Sequence, residues 1–207
     1  MDRVRRGLRN LKFAVPLLSL LILVMAGCAK PPQMDIDAAK ASIDAAVAAE
    51  AKDYAGSSLT AANDSWAALQ TELQAQESKF ALFRSYKKAK EMAAAAKAAG
   101  EKATADANAQ KEKVKAECQG MMTTAQTAID EAKALLEKAP KGKGEKEAIE
   151  ALKAELTGAE TSLADANAAF SSGKYLQARS KLQAVQNAAN DVKTQVQAAI
   201  DAKMGKK

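Results

Sequence analysis

The chain has 207 residues, 48% of them hydrophobic but only 4% aromatic, and it contains no histidine. The missing histidine removes the commonest general base and metal ligand, and the scarce aromatics leave few platforms for stacking bases. The net charge of +6 is concentrated at the start of the chain, so it is a poor guide to the rest of the surface.

Arg3, Arg5, Arg6, Arg9 and Lys12 precede an apolar stretch from Phe13 to Met25, which is followed by Ala26-Gly27-Cys28. A basic region, a short apolar core and small residues before a cleavage point are the three parts of a secretory signal. The core is short for a spanning helix, which needs ~20 apolar residues, and Pro16 interrupts it. Arg5-Arg6 lacks the surroundings of a twin-arginine signal, so general secretion is expected. Met25-Ala26-Gly27-Cys28 resembles the lipobox of bacterial lipoproteins, with Met25 in place of the usual Leu, Val or Ile. That resemblance implies cleavage between Gly27 and Cys28 and acylation of Cys28, so that the chain's first partner is a lipid bilayer. Several acyl chains hold far more firmly than one, at ~0.8 kcal/mol per buried methylene. Ala29 is not the aspartate that retains lipoproteins at the inner membrane of enteric-type bacteria. The expected location is therefore the periplasmic face of the outer membrane, if the cell has two membranes.

Removing the signal, residues 1–27, takes away five cations and Asp2, leaving 26 cations against 24 anions, a balance of +2. This is no footprint for nucleic acid, which calls for clustered cations. Residues 28–34 then form the lipidated cysteine and a tether, extended at Pro31-Pro32. Beyond it about a quarter of the residues are alanine, and Pro140 is the one proline after Asp35. Alanine is the strongest helix former.

In chain order, Asp35 is expected to cap a first helix to about Ala55, with Ile36, Ile43, Val47 and Tyr54 inward. Gly56-Ser57-Ser58 ends it and offers a serine cap for the next helix. That helix carries the row Leu59, Ala62, Trp66, Leu69, Leu73, Gln76, Phe80, Phe83. A turn at Arg84 leads into one long helix, about Ser85 to Lys138, whose middle from Ala99 to Lys113 has only alanine as apolar content. The loop Ala139 to Gly144 precedes the row Ile149, Leu152, Leu156, Ala159, Leu163, Ala166, Phe170. Ser171-Ser172-Gly173 is a tight turn before Tyr175, Ala178, Leu182, Val185, Ala189, Val192, Val196, Ala199. Alternating spacings of three and four mark helix faces of the kind that pack at shallow angles. Lys, Glu, Gln and Asp between them form the solvated faces.

Ile43-Asp44 matches Ile129-Asp130, Trp66–Leu73 matches Ile149–Leu156, and Tyr86–Ala89 matches Tyr175–Ala178. The order is conserved between the two copies, which points to an internal repeat. The expected fold is all-α, an elongated antiparallel helical bundle or coiled coil. The repeat suggests a first unit over residues 35–112 and a second over 113–207 with a short C-terminal tail, sharing the long helix.

Tyr54-Ala55, Leu59, Ala62, Trp66 and Tyr86-Lys87-Lys88-Ala89, after a lipobox, resemble a domain of unknown function on proteobacterial envelope lipoproteins. Phe170 to Ala178 fits the same pattern and is similar to one turn of a tetratricopeptide repeat. The likeness covers roughly residues 38–105 and, more faintly, 125–200. It implies an envelope location and helices, and it carries over no catalytic, cofactor or metal residues.

No phosphate loop, paired-cysteine motif or nucleophile elbow appears, and the carboxylates interleave with lysines, as in Glu131–Lys133 and Glu147–Glu150–Lys153. No catalytic, cofactor-binding or metal residue is expected, and the chain is not expected to be an enzyme. Cys118, in line with Val114 and Met121, reads as a small packing residue, with an intermolecular disulfide as its alternative in an oxidising compartment. Two readings of function stand. One is a structural or protein-interaction module of the envelope with an unidentified protein partner. The other is a chaperone-like or transport-accessory protein that holds nonpolar segments. A more distant one is a cell-wall tether through the C-terminal Lys207, a layout that resembles the small murein lipoprotein.

Overall fold

A computed structural model of the chain describes residues 29–140, 142 and 145–205. Gly27, Cys28, the signal segment, Lys206 and Lys207 lie outside the described residues. The fold is all-α, a helical bundle, with no strand among the described residues. Helix α1 spans Gln33–Ala48, α2 Ala51–Tyr54, α3 Gly56–Glu77, α4 Lys87–Glu137, α5 Lys146–Ser171 and α6 Tyr175–Met204. A 3₁₀ turn, Ala81–Phe83, precedes α4. The chain divides into two compact units, and the boundary falls inside α4 between Asn108 and Ala109.

The first unit is α1, α2, α3 and the opening of α4. Ile36 packs with Leu69, Leu73, Tyr86, Ala89 and Ala93, whereas Ala46 packs with Ala51, Ala55, Ala103 and Ala107. Rising numbers in α1 thus meet rising numbers in α4, so these two helices run parallel and α3 returns between them. Alanine-only content in the middle of α4 does not make it idle, because Ala103 and Ala107 are fully buried. The small side chains let the α1–α2 corner approach closely. Gly100 carries this furthest: a Cβ there would lie 2.8 Å from the Ser42 carbonyl carbon and 2.9 Å from the Ile43 nitrogen.

The second unit repeats the plan with the rest of α4, α5 and α6. Arg179 reaches Glu117 at 3.4 Å, the Gln186 amide donates to the Met121 carbonyl at 3.2 Å, and Lys193 pairs with Glu131. α6 therefore runs parallel to α4. Lys181 to Asp165, at 3.0 Å, and Lys133 to Glu160 stitch the antiparallel α5 to its neighbours. The two apolar rows of this unit are buried as expected from Leu152 to Ala166 and from Ala178 to Val196.

Several expectations are corrected. Asp35 does not cap α1: the helix begins at Gln33 after Pro32, whose carbonyl accepts the Ile36 N–H at 3.1 Å, and Asp35 sits in the first turn. There its charge still complements the helix dipole. The first helix stops at Ala48 rather than near Ala55, because Glu50 takes a left-handed φ of 61° and starts the short α2. Val47, in the last turn of α1, lies off the buried face of Ile36, Ala39, Ile43 and Ala46 and is 56% exposed rather than inward. No serine caps α3, where Ala55 holds the cap position without a side-chain bond. Ser58 instead donates to Asp106 of α4 at 2.5 Å. The turn near Arg84 exists, and it removes Phe80 and Phe83 from the apolar row, because α3 ends at Glu77 and both rings lie in the connection beyond it.

Candidate functional site

Of the residues singled out in the sequence, Cys118 is fully buried in the second unit. Its Sγ donates to the Tyr175 carbonyl at 3.3 Å. Burial pushes the thiol up from its ordinary value, against a smaller opposing pull from Arg179. A buried, protonated thiol is a poor nucleophile and is out of reach of another chain. The geometry thus supports packing and disfavours the intermolecular disulfide.

One concavity is a groove of about 880 Å³ in the second unit, where the end of α4, the following loop and the first half of α5 diverge. Leu136, Ala139, Pro140, Ile149 and Leu156 give it an apolar floor. Lys133 and Glu160, paired with each other, and Glu150 and Lys153, 2.8 Å apart, line its rim. Its size falls in the range of ligand clefts, but these four charges satisfy one another. Hydrogen bonding to Lys153 holds the Glu150 carboxyl below the usual carboxylate range, and bonding to Glu160 raises Lys133. General acid catalysis needs a carboxyl shifted the other way. What the groove offers is shape and apolar contact.

Among the described residues, no group of three His, Cys, Asp or Glu side chains could hold a metal ion. No helix among them is long and apolar enough to cross a membrane. Buried side-chain polar atoms all have hydrogen-bond partners there.

Gln76, which the apolar row passes through, organises the turn between α3 and α4. Only 6% exposed, it donates to Glu72 at 2.7 Å and accepts from the Ser85 N–H at 3.1 Å and from Lys79 at 3.2 Å. Its amide in an apolar seam position was the available sign that the chain turns there. The apolar side chains of that turn, Phe80, Leu82 and Phe83, are 69%, 51% and 76% exposed. No protein-family profile, curated protein or solved structure matches the chain.

Proposed function

We propose that this chain is a lipid-anchored module of a bacterial cell envelope, attached through acylated Cys28, whose helical body serves a structural or protein-interaction role without catalysis. The placement is the periplasmic face of the outer membrane in a cell with two membranes. The observation that carries the choice between roles is the closure of the apolar rows. Leu69, Leu182, Val192 and Val196 are fully buried within their own units, which closes most of the length of the seams to a nonpolar segment. The carboxylates that shift, Glu72, Asp106 and Glu150, all shift downward through partners on the protein itself, which suits a solvated scaffold. The groove on α4 and α5 favours the second reading, a transport-accessory module, because its floor is apolar.

The test is Cys28→Ala in cells labelled with a fatty-acid analogue. The wild-type chain should carry label and sediment with outer-membrane markers, whereas the variant should remain an unlabelled, uncleaved precursor. Normal processing and membrane retention of the variant would sink the anchor. Crosslinking of the labelled protein in intact cells distinguishes the roles: an adduct with a folded envelope protein supports the first, and adducts with newly exported chains support the second.

A further inference from the structure

The connection from α3 to α4, Ser78 to Tyr86, holds Phe80, Leu82 and Phe83 in solvent and is itself firmly braced. Arg84 donates to the Glu77 carbonyl at 2.8 Å, an acceptor that α3 leaves open at its end, and to the Lys79 carbonyl in the connection at 3.0 Å. Gln76 fixes Ser85 from the other side. Phe80 and Phe83 stand 6.3 Å apart, ring to ring, and Leu82 lies between them in the chain. The corresponding turn of the second unit closes tightly at Gly173, φ 78°, and its Phe170 packs on Tyr175 at 5.3 Å. Among the described residues, the exposed aromatics belong to the first unit's turn alone.

We propose that Phe80, Leu82 and Phe83 form a bilayer contact, seated at the boundary between headgroups and acyl chains of an anionic phospholipid surface. This rests on the reading of Cys28 as the lipid attachment point. Position is the first argument. Ile36 shares a core cluster with Tyr86 and Ala89, so the start of α1 and the turn lie at one end of the first unit. Residues Ala29 to Pro32 separate Cys28 from α1, and at ~3.6 Å per residue they keep it within ~18 Å of the anchor. Met34, at this same end, is 86% exposed. Charge is the second argument. From Gln74 to Lys90 the chain has five cations and one acidic residue, Glu77. Lys88 pairs with Glu72 at 2.9 Å and Lys90 lies 3.9 Å from Asp35. Lys79 acts on Glu72 only through the longer-range pull of its charge, and the Arg84 guanidinium is spent on backbone carbonyls rather than a carboxylate. Size is the third. Three side chains fall well short of the ~800 Å² per partner of a stable protein interface. Apolar tips flanked by cations suit an interfacial seat of ~5–10 Å depth.

The test uses the full chain, extracted in detergent and reconstituted into phosphatidylcholine–phosphatidylglycerol vesicles with brominated acyl chains. Trp66 is the sole tryptophan, so Trp66→Phe combined with Phe83→Trp places a single indole in the tip. Its emission should move to the blue and be mostly quenched, while wild-type Trp66, packed on the first unit's core, keeps its emission. In the unaltered tryptophan background, hydrogen exchange over residues 78–86 should slow on vesicles, and Phe80→Ser/Leu82→Ser/Phe83→Ser should abolish the slowing. Acylation of Cys28 is read separately by mass. An acylated chain that floats with vesicles but shows neither quenching nor slowed exchange overturns the contact and leaves the anchor standing. Quenching with Cys28 unmodified keeps the contact and removes the anchor. A blue shift without vesicles means that a second copy covers the tip, and it overturns the contact too.

Discussion

Adding one methyl group at Gly100 should destabilise the first unit, although the same change elsewhere in a helix stabilises. Glycine in a helix interior costs about 0.8–1.0 kcal/mol relative to alanine, so Gly100→Ala starts with that much in its favour. Against it stands the packing of α4 on α1. The new Cβ would sit 2.5 Å from the Ser42 Oγ, 2.8 Å from the Ser42 carbonyl carbon and 2.9 Å from the Ile43 nitrogen. The hydroxyl can rotate away by giving up its bond to the Ala39 carbonyl at 2.8 Å. The two backbone atoms can retreat only by moving α1, which unseats the buried Ala39, Ile43 and Ala46. Overpacking of this kind costs ~1–3 kcal/mol, so the net should range from near balance to a loss of ~2 kcal/mol. Gly120 and Gly158 are the controls, since both are helical and a Cβ at either would meet nothing within 4 Å. Thermal unfolding followed by far-ultraviolet circular dichroism should show Gly120→Ala and Gly158→Ala raising Tm and Gly100→Ala failing to do so. Native-state hydrogen exchange should place the loosening in α1. Ser42→Ala added to Gly100→Ala should not restore stability, because the backbone contacts remain. A Gly100→Ala protein as stabilised as the controls would refute the close approach.

Leu69, fully buried, and Leu156, 3% exposed, should each cost ~2–5 kcal/mol on truncation to alanine in urea unfolding; values near zero at both would mean that the rows are not core. Glu72 should make the first unit acid-sensitive: hydrogen bonds from Lys88 and then Gln76 hold its carboxyl below the ordinary 4.5. A folded-state value depressed in this way contributes stability above the unfolded pKa and loses it as pH falls through the folded one. Glu72→Gln should therefore lower Tm at neutral pH and converge with wild type as pH falls through the lowered folded-state pKa, and a gap independent of pH would show that the carboxylate is not the cause.

How much of this was legible in the sequence depends on what each residue answers to. The rows from Leu152 and from Ala178 could be read because long helices with no internal proline let the three-four count run undisturbed, and the counted side chains are buried. The row through Phe80 and Phe83 failed because the count continues on paper after α3 has ended at Glu77. Gly100 reads as a lost helix preference in one dimension, and only the Ser42–Ile43 backbone beside it explains the residue. Glu50 gives no local sign of a left-handed φ of 61°, a conformation that favours Gly or Asn. The groove was invisible because its floor joins residues on both sides of the loop after α4. The reading of Cys28 is the reverse case: it rests wholly on a local, linear signal and lies outside the described residues.

The two units differ in one informative place. Ile43 and Ile129, Leu69 and Leu152, Leu73 and Leu156, and Ala89 and Ala178 are matched in sequence and are all buried. Core positions alike in type thus take like environments, as expected where close packing restricts what fits. The turns depart from this. In the second unit Gly173 lets the Lys174 N–H reach back to the Ala169 carbonyl at 2.9 Å, ending α5 with a glycine motif and tucking Phe170 against Tyr175. In the first unit a guanidinium does the corresponding work, with Arg84 bonding the carbonyls of Glu77 and Lys79. That solution needs a longer connection, and it leaves Phe80, Leu82 and Phe83 outside any core. Nothing in the packing of α3 on α4 requires them to be apolar, and the proposed bilayer contact would supply the reason. Residues Ala29 to Pro32 alone separate Cys28 from this end of the unit, so the proposed acylation of Cys28 would bring a lipid surface within reach of them.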